Sequence, residues 1–185
     1  MKRIIGIITV AYLVAGYSMI LAQDKPSQIY TDTYNKLMQR TAWWRNDRFG
    51  MFIHFGAYAV AARGEWVKSN EKLTTEQYQS YVEAFNPADF DAREWARIAR
   101  AAGMKYAVLT AKHHDGFCMF DSKLTDYKLS KQFGGRDLVR EFLDAFRAEG
   151  LKVGLYYSVI DWHHSDYPNV GNHPQRGDKE YAKRN

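Results

Sequence analysis

The sequence predicts an α/β fold in which parallel β-strands alternate with α-helices. Two helical segments with an apolar stripe, 91–102 and 137–149, are each followed by a short apolar run, at 104–110 and 153–157. The two units align with an offset of 47 residues, and an earlier apolar run occupies 49–54. A helix, a glycine and a strand that recur at a fixed spacing are typical of βα units on one parallel sheet.

The two helices carry signals for their first and last turns. Asp91 and Asp137 can cap the first turns, and Glu94 stands three residues after Asp91, in the position that completes a capping box. Gly103 and Gly150 follow the last turns and allow the left-handed backbone that ends a helix.

The strands are expected to be buried on both sides. The apolar residues of 49–54 are contiguous rather than alternating, which is typical of a parallel strand with both faces covered. We expect a further helix at 75–85, within the connection that leads from this strand to the strand at 104–110.

The composition is that of a globular chain without the marks of a nucleic-acid-binding protein. Of the 185 residues, 46% are hydrophobic and 15% are aromatic, which argues against disorder. The formal net charge is +5, but the basic residues are interspersed with acidic ones, so no nucleic-acid partner is expected. The single cysteine, Cys118, excludes an intrachain disulfide and is interpreted as a buried structural thiol.

The N-terminus has the pattern of an export signal. Lys2 and Arg3 precede an uncharged apolar run, 4–22, and polar residues follow it. We therefore expect a signal peptide at 1–22 and a periplasmic, secreted or lysosome-like location. The run of 19 residues is also just long enough to span a bilayer, so a retained anchor is the alternative. Unless the leader is retained, no stable membrane association is expected.

Histidines collect where the predicted strands end. His54 ends the first strand, His113 and His114 follow the second, and His163 and His164 follow the third. The carboxyl ends of parallel strands meet at one edge of a sheet, and ligands bind there in such folds. The sequence therefore predicts one ligand site at this edge.

The adjacent pair His113 and His114 suits a hydroxylated ligand. A neutral imidazole offers one donor and one acceptor, which match the hydroxyl groups of a sugar. Neighbours on an extended segment point in opposite directions, so we expect the two rings to bracket a ligand rather than to bind one ion. The alternatives are a structural histidine pair and a metal site with His54 and Asp115. Because HxH and HExxH spacings are absent from the sequence, neither a metal nor another cofactor is predicted.

Two further positions add acidic and aromatic groups. Glu65 and Trp66 lie in the connection after the first strand, where they can bind a sugar ring or simply cover the edge of the core. At the end of the third strand, Tyr156 and Tyr157 must face opposite sides of the sheet. We expect Tyr157, nearer the strand end, to contact the ligand and Tyr156 to pack. Asp161 is interpreted as a hydrogen-bond acceptor that fixes its loop, with an acid–base role as the alternative.

These residues belong to an ordered series of motifs that resembles the α-L-fucosidases, family 29 of the glycoside hydrolases. The series comprises FGMFIHFG at 49–56, GEW at 64–66, AKHHDGF at 111–117, RDLV at 136–139, GLYYS at 154–158 and DW at 161–162. Single motifs of this kind are moderately specific, whereas a whole series in the correct order is highly specific.

The resemblance implies a (β/α)8 barrel that hydrolyses terminal α-L-fucose on oligosaccharides or glycoconjugates with retention of configuration. The chain would supply the first three or so βα units, with 23–42 as a lead-in and 43–185 as the N-terminal portion of the catalytic domain. The resemblance implies substrate-binding roles for His54, Glu65, Trp66, His113, His114 and Tyr157. In some members of the family the acid at the Glu65 position is implicated as the acid–base group.

The resemblance also implies a nucleophile outside this chain. In the family an aspartate at the end of the fourth strand attacks the sugar, and here that strand is expected beyond Asn185. A complete barrel needs about 250 residues, so we expect the chain to be a fragment that is inactive or poorly folded alone. A non-catalytic sugar-binding fragment and a metal-dependent barrel hydrolase are the alternative functions.

Overall fold

The computed structural model describes residues 28–164, and the expected signal peptide at 1–22 lies outside them. The chain divides into two compact units, residues 1–46 and 47–185. None of the helices found between residues 28 and 164 is long and apolar enough to cross a bilayer.

The second unit is built on a parallel sheet. Strands β1 (Gly50–Ile53), β2 (Tyr106–Lys112) and β3 (Lys152–Tyr157) pair in the order β1-β2-β3. The predicted α/β class and the three predicted strands are thereby confirmed. The strand ends differ from the expected ones by at most two residues.

The ladder between β2 and β3 changes register near its end. Tyr106 pairs with Lys152 and Thr110 pairs with Tyr156, but Lys112 pairs with Tyr157. Ala111 is therefore an extra residue on β2. A bulge of this kind re-aims the side chains that follow it.

The two faces of the sheet have different surroundings. Phe52, Val108 and Gly154 lie side by side in register, one on each strand. On this face Phe52 is 52% exposed. Because side chains alternate along a strand, Ile53 and Leu109 lie on the opposite face, where both are buried in the core.

The remaining regular elements are helices. They are α1 (Gln28–Arg40), α2 (Ala42–Asp47), α3 (Val67–Asn70), α4 (Thr75–Ala84), α5 (Ala92–Ala101), α6 (Leu129–Gln132) and α7 (Leu138–Ala148), with a 3-10 helix at Ala57–Ala61. The helices predicted at 75–85, 91–102 and 137–149 are confirmed as α4, α5 and α7.

Hydrogen bonds from side chains define where these helices begin. Asp91 and Asp137 cap α5 and α7 through their carboxylates, as the sequence predicts. Glu94 does not complete a capping box there, because its carboxylate pairs with an arginine three residues later. A full box stands at α4 instead, where Thr74 and Gln77 each bond the backbone amide of the other.

One hydrophobic core lies between the sheet and the helices of the second unit. Helix α7 contributes the fully buried Leu138, Phe142 and Phe146. Burying one apolar side chain of this size contributes about 1.5–3 kcal/mol. Helices α5 and α7 also pack against each other. Together with the sheet, they form a rigid support for the segments that follow β1, β2 and β3.

Candidate active site

Histidines from two segments meet a tyrosine of the third strand at the carboxyl-terminal edge of the sheet. His54 follows β1 and His113 follows β2, and their ring centroids lie 5.7 Å apart. The ring of Tyr156, on β3, lies 6.0 Å from that of His54 and 5.5 Å from that of His113. His114 completes the group, with its ring 4.5 Å from that of His113. We name these four residues the histidine cluster.

The two adjacent histidines lie side by side, which corrects the expectation that they point in opposite directions. After β2 the chain turns, and the amide of Gly116 donates to the carbonyl of His113 at 3.1 Å. Side chains in a turn do not alternate as they do in a strand. The rings of His113 and His114 therefore meet edge to face, at an interplanar angle of 62°. They form one wall of the site.

A hydrogen-bond chain fixes the tautomer of His114. Its Nδ1 lies 2.5 Å from the hydroxyl oxygen of Ser158, and that hydroxyl donates to the carbonyl of Ile160 at 2.7 Å. A hydroxyl has one hydrogen, so Ser158 must accept from Nδ1–H of His114. Burial lowers the pKa of His114. The neutral ring then carries its lone pair on Nε2, as an acceptor.

His113 is buried and uncharged at neutral pH. Burial, followed by the neighbouring His114 and His54, lowers the pKa of His113 to about 4. Within the described residues its Nδ1 is buried and has no hydrogen-bond partner. Buried polar atoms are almost always paired, so an unpaired one within a polar cluster is typical of a functional site.

The connection that carries Glu65 and Trp66 reaches the cluster. The ring of Trp66 lies 4.9 Å from that of His114 and 5.2 Å from that of Trp162, and the residue is 44% exposed. Burial lowers the pKa of His113 and of His114, and the negative charge of Glu65 opposes both shifts. The ring of Trp66 therefore lies beside His114, and the charge of Glu65 acts on both histidines.

An ion pair closes this connection at its base. Arg63 donates to both carboxylate oxygens of Glu71, at 2.7 and 3.0 Å, and to the hydroxyl of Tyr81 on α4, at 2.9 Å. A bidentate pair between arginine and a carboxylate fixes direction as well as distance. The segment that contains Glu65 and Trp66 is thereby held between two anchored ends.

The positions expected for Tyr156 and Tyr157 are reversed. Tyr156 stands two residues after Gly154 and therefore lies on the face of Phe52, which brings it into the histidine cluster. Tyr157 lies on the other side, 56% exposed, with the ammonium of Lys112 5.0 Å from its ring centroid. Proximity to the strand end favoured Tyr157 in the sequence. The alternation of side chains decides the face.

The two aspartates near the cluster make structural bonds. Asp115 is buried and accepts a hydrogen bond from the hydroxyl of Tyr78 at 2.7 Å. Asp161 accepts from the ammonium of Lys112 at 2.9 Å and from two backbone amides of its own loop. The interpretation of Asp161 as a residue that fixes its loop is confirmed.

His163, one of the two histidines that follow the third strand, lies outside the cluster, and the metal alternative does not fit this site. His163 stacks on Tyr127, with ring centroids 3.7 Å apart. Across residues 28–164, no group of three His, Cys, Asp or Glu side chains is arranged to hold a metal ion. Asp115, a ligand in the metal alternative, is instead bonded to Tyr78.

Sequence reasoning missed two residues that support the cluster. Tyr58, in the 3-10 helix, lies 5.0 Å from His113 by ring centroids, and its hydroxyl lies 2.9 Å from that of Thr110. Ser158 fixes the tautomer of His114. Nothing in the sequence indicates Tyr58, because its position depends on how the chain turns after β1. Ser158 belongs to the GLYYS motif at 154–158, but its hydrogen-bond partner, His114, lies 44 residues earlier.

Comparison with known proteins relates this chain to the α-L-fucosidases. A family model described as α-L-fucosidase matches residues 18–185. Human tissue α-L-fucosidase is 36% identical over 174 residues, which cover 84% of this chain and 37% of the human protein. The chain therefore spans little more than a third of the length of that relative.

Solved structures of the same kind superpose on this chain. α-L-Fucosidase isoenzyme 1 from Paenibacillus thiaminolyticus matches with a TM-score of 0.70 and 60% identity, over 80% of this chain and 35% of that one. AlfC from Lactobacillus casei, an α-L-fucosidase solved in complex with α-L-fucose product, matches with a TM-score of 0.64 and 38% identity. That match covers 70% of this chain and 43% of AlfC. With a family model that matches nearly its whole length, this chain belongs to the α-L-fucosidase family.

Proposed function

We propose that the protein hydrolyses terminal α-L-fucose from oligosaccharides or glycoconjugates with retention of configuration. The histidine cluster is proposed as the part of its active site that binds the sugar. The observation that carries the proposal is the convergence of His54, His113 and His114 with Tyr156 within 6.5 Å, by ring centroids. The solved complex of AlfC with fucose supports the choice of sugar.

The cluster offers the groups that a deoxy sugar requires. Neutral imidazoles present a donor and an acceptor to hydroxyl groups, and Nε2 of His114 is available to accept. The exposed indole of Trp66 presents an apolar surface, which suits the C–H groups and the methyl group of fucose. Polar groups on one wall and an aromatic ring beside them match the two sides of this sugar.

Retaining hydrolysis requires two carboxyl groups about 5–5.5 Å apart. We propose Glu65 as the acid–base group, because the family resemblance implies that role at this position and its neighbour Trp66 lies 4.9 Å from His114 by ring centroids. Asp115 and Asp161 are unsuitable as the nucleophile, since each is held by structural hydrogen bonds. The nucleophile is expected to be an aspartate on a strand that follows this part of the family's catalytic domain.

The proposal includes a setting for the site. The three parallel strands would be the first strands of a (β/α)8 barrel, with 43–185 belonging to the catalytic domain. A leader at 1–22 would direct the protein out of the cytoplasm, where glycoconjugates are accessible. Both statements rest on the sequence pattern and on the family.

An aryl α-L-fucoside assay tests the proposal, together with calorimetry of fucose binding. Both use the intact protein, by which we mean a protein that includes the strand expected to carry the nucleophile. We expect cleavage of the α-L-fucoside and no cleavage of the corresponding β-D-glucoside. Glu65→Gln should lower kcat by about 10²–10⁴-fold, the range for a lost general acid or base, with a smaller change in fucose affinity. Glu83→Gln, an exposed change on α4, is the matched control. An intact protein that neither binds fucose nor cleaves the fucoside would refute the proposal.

A further inference from the structure

A lysine is buried directly behind the aromatic side of the site. Lys68 is 1% exposed and lies on α3, two residues after Trp66. A buried charge is costly unless surrounding groups compensate for it. Lys68 is too deeply enclosed to touch a sugar. A charge buried in this place therefore calls for structural partners.

The partners of Lys68 come from two other segments. Its ammonium donates to the carbonyl of Trp162 at 3.3 Å and lies 5.2 Å from the ring centroid of Tyr78. Burial lowers the pKa of Lys68, and the negative charges of Asp115, Asp161 and Glu76 oppose that shift. The ammonium thus contacts a carbonyl and an aromatic ring, and three carboxylates compensate for part of its burial.

The bond to Trp162 completes a frame around that residue. The amide of Trp162 donates to the carbonyl of His114 at 2.7 Å, so its backbone is held on both sides. The buried ring of Trp162 lies 5.0 Å from that of His114 and 5.2 Å from that of Trp66. Trp66 therefore contacts the ring of Trp162, and Lys68 donates a hydrogen bond to its carbonyl.

We infer that Lys68 is a positioning residue that fixes the rings of Trp162 and Trp66 beside His114. Without the ammonium, the carbonyl of Trp162 loses its donor and the short helix α3 loses its attachment to the loop at 158–164. The ring of Trp66 then loses the packing surface that the ring of Trp162 provides. That this placement serves fucose binding rests on the function proposed above.

Near-ultraviolet circular dichroism of the intact protein measures the ring placement without any ligand. Two indoles 5.2 Å apart and inclined at 71° couple and give a tryptophan band, which Trp66→Phe identifies by removing it. We expect Lys68→Met to lose most of the same band while the far-ultraviolet spectrum is retained. Lys68→Leu, which is shorter and likewise has no donor, provides the same test if the methionine variant does not fold. Lys123→Met, at an exposed position, should keep the band.

Calorimetry with fucose then connects the ring placement to the site. Misplacing binding groups by an ångström is costly, so Lys68→Met or Lys68→Leu should weaken fucose binding about tenfold. A folded Lys68 variant that keeps the full band would overturn the inference. So would loss of the band with unchanged fucose affinity. If the unmodified protein does not bind fucose, the proposed function fails, and the band alone decides whether Lys68 positions the rings.

Discussion

His114 and Ser158 share a hydrogen bond of 2.5 Å that determines which imidazole nitrogen of His114 carries the proton. The hydroxyl hydrogen of Ser158 is directed to the carbonyl of Ile160, so the proton of the histidine stays on Nδ1. The nitrogen on which His114 carries its lone pair is therefore set by a residue that does not itself belong to the histidine cluster.

Ser158→Ala should weaken fucose binding. The substitution leaves a buried N–H of His114 without its acceptor, at a cost of about 1–3 kcal/mol, or allows the other tautomer, which places a donor on Nε2. Calorimetry measures the affinity, and nitrogen-15 spectra of the imidazole report the tautomer. Ser80→Ala, on the exposed face of α4, is the control. Unchanged affinity together with an unchanged Nδ1–H tautomer would contradict this role for Ser158.

A side chain at Gly116 is expected to lower the unfolding free energy more than a side chain at Gly103. Its φ is +83°, and a Cβ there would lie 2.3 Å from Oδ1 of Asp161 and 2.9 Å from Cβ of His163. Gly103 has nearly the same φ, +84°, but a Cβ would meet nothing within 4 Å. Gly103→Ala should therefore cost only the strain of the left-handed backbone, about 1–2 kcal/mol. Gly116→Ala should cost about 1–3 kcal/mol more, for the steric overlap.

Urea unfolding of the two glycine variants measures this difference. The clash at Gly116 should also displace Asp161 and weaken its ion pair with Lys112. Equal losses of unfolding free energy at the two positions would show that the loop at 161–164 yields without cost.

The unfolding free energy of the protein should depend on pH through two buried groups, His113 and Asp115. As the pH rises, the contribution of His113 increases and that of Asp115 decreases. Unfolded histidine binds its proton below about 6.5, but burial holds the pKa of His113 at about 4, so its contribution is lost as the pH falls from 6.5 to 4. Burial raises the pKa of Asp115 to about 6, and the unfolded carboxyl titrates near 3.9. The contribution of Asp115 is therefore present at low pH and is lost as the pH rises to 6.

Asp115→Asn removes one of these opposing effects. Between pH 4 and 6, the unfolding free energy of the variant should rise with pH more steeply than that of the unmodified protein, by up to about 1.4 kcal/mol per pH unit. Urea titrations at several pH values measure the two slopes, with Asp89→Asn, on an exposed segment, as the control. Parallel slopes for Asp115→Asn and the unmodified protein would mean that this carboxyl is already ionised at pH 4.

Tyr156 and Tyr157 should respond differently to substitution. Tyr156→Ala removes a ring that lies 5.5 Å from that of His113 and should weaken fucose binding by about tenfold or more. Tyr157→Ala removes the ring beside the Lys112 ammonium and should leave the affinity nearly unchanged. Calorimetry measures the fucose affinity of both variants, and Tyr157→Ala serves as the control for Tyr156→Ala. A larger effect at Tyr157 would restore the assignment that the sequence alone favoured.

Much of the fold and the core of the site could be predicted from the sequence. Contiguous apolar runs located β1, β2 and β3, since parallel strands are covered on both faces. Capping aspartates located α5 and α7. The meeting of His54 with His113 followed from a rule of topology, that parallel strands end at one edge.

The details that escaped prediction depend on contacts between distant segments. The face of Tyr156 requires the register of β3 against β2. The proximity of His113 and His114 requires the turn closed by Gly116. The burial of Lys68 requires Trp162, which lies 94 residues later. Local sequence patterns carry none of this information. For Lys68 the expectation from residue type is even the opposite, because a lysine is ordinarily solvated.

The extra residue in β2 governs how motifs of this chain must be counted. The helix–glycine–strand repeat advances by 47 residues, yet the ladder joins positions 106 and 152, 46 apart, and then positions 112 and 157, 45 apart. An alignment that moves by one position exchanges Tyr156, whose ring lies beside His113, for Tyr157, whose ring lies beside Lys112. Deleting Ala111 would leave an unbroken ladder and turn the following lysine and histidines about the strand axis. A protein with every motif present and this one alanine missing would therefore carry the right residues on the wrong sides.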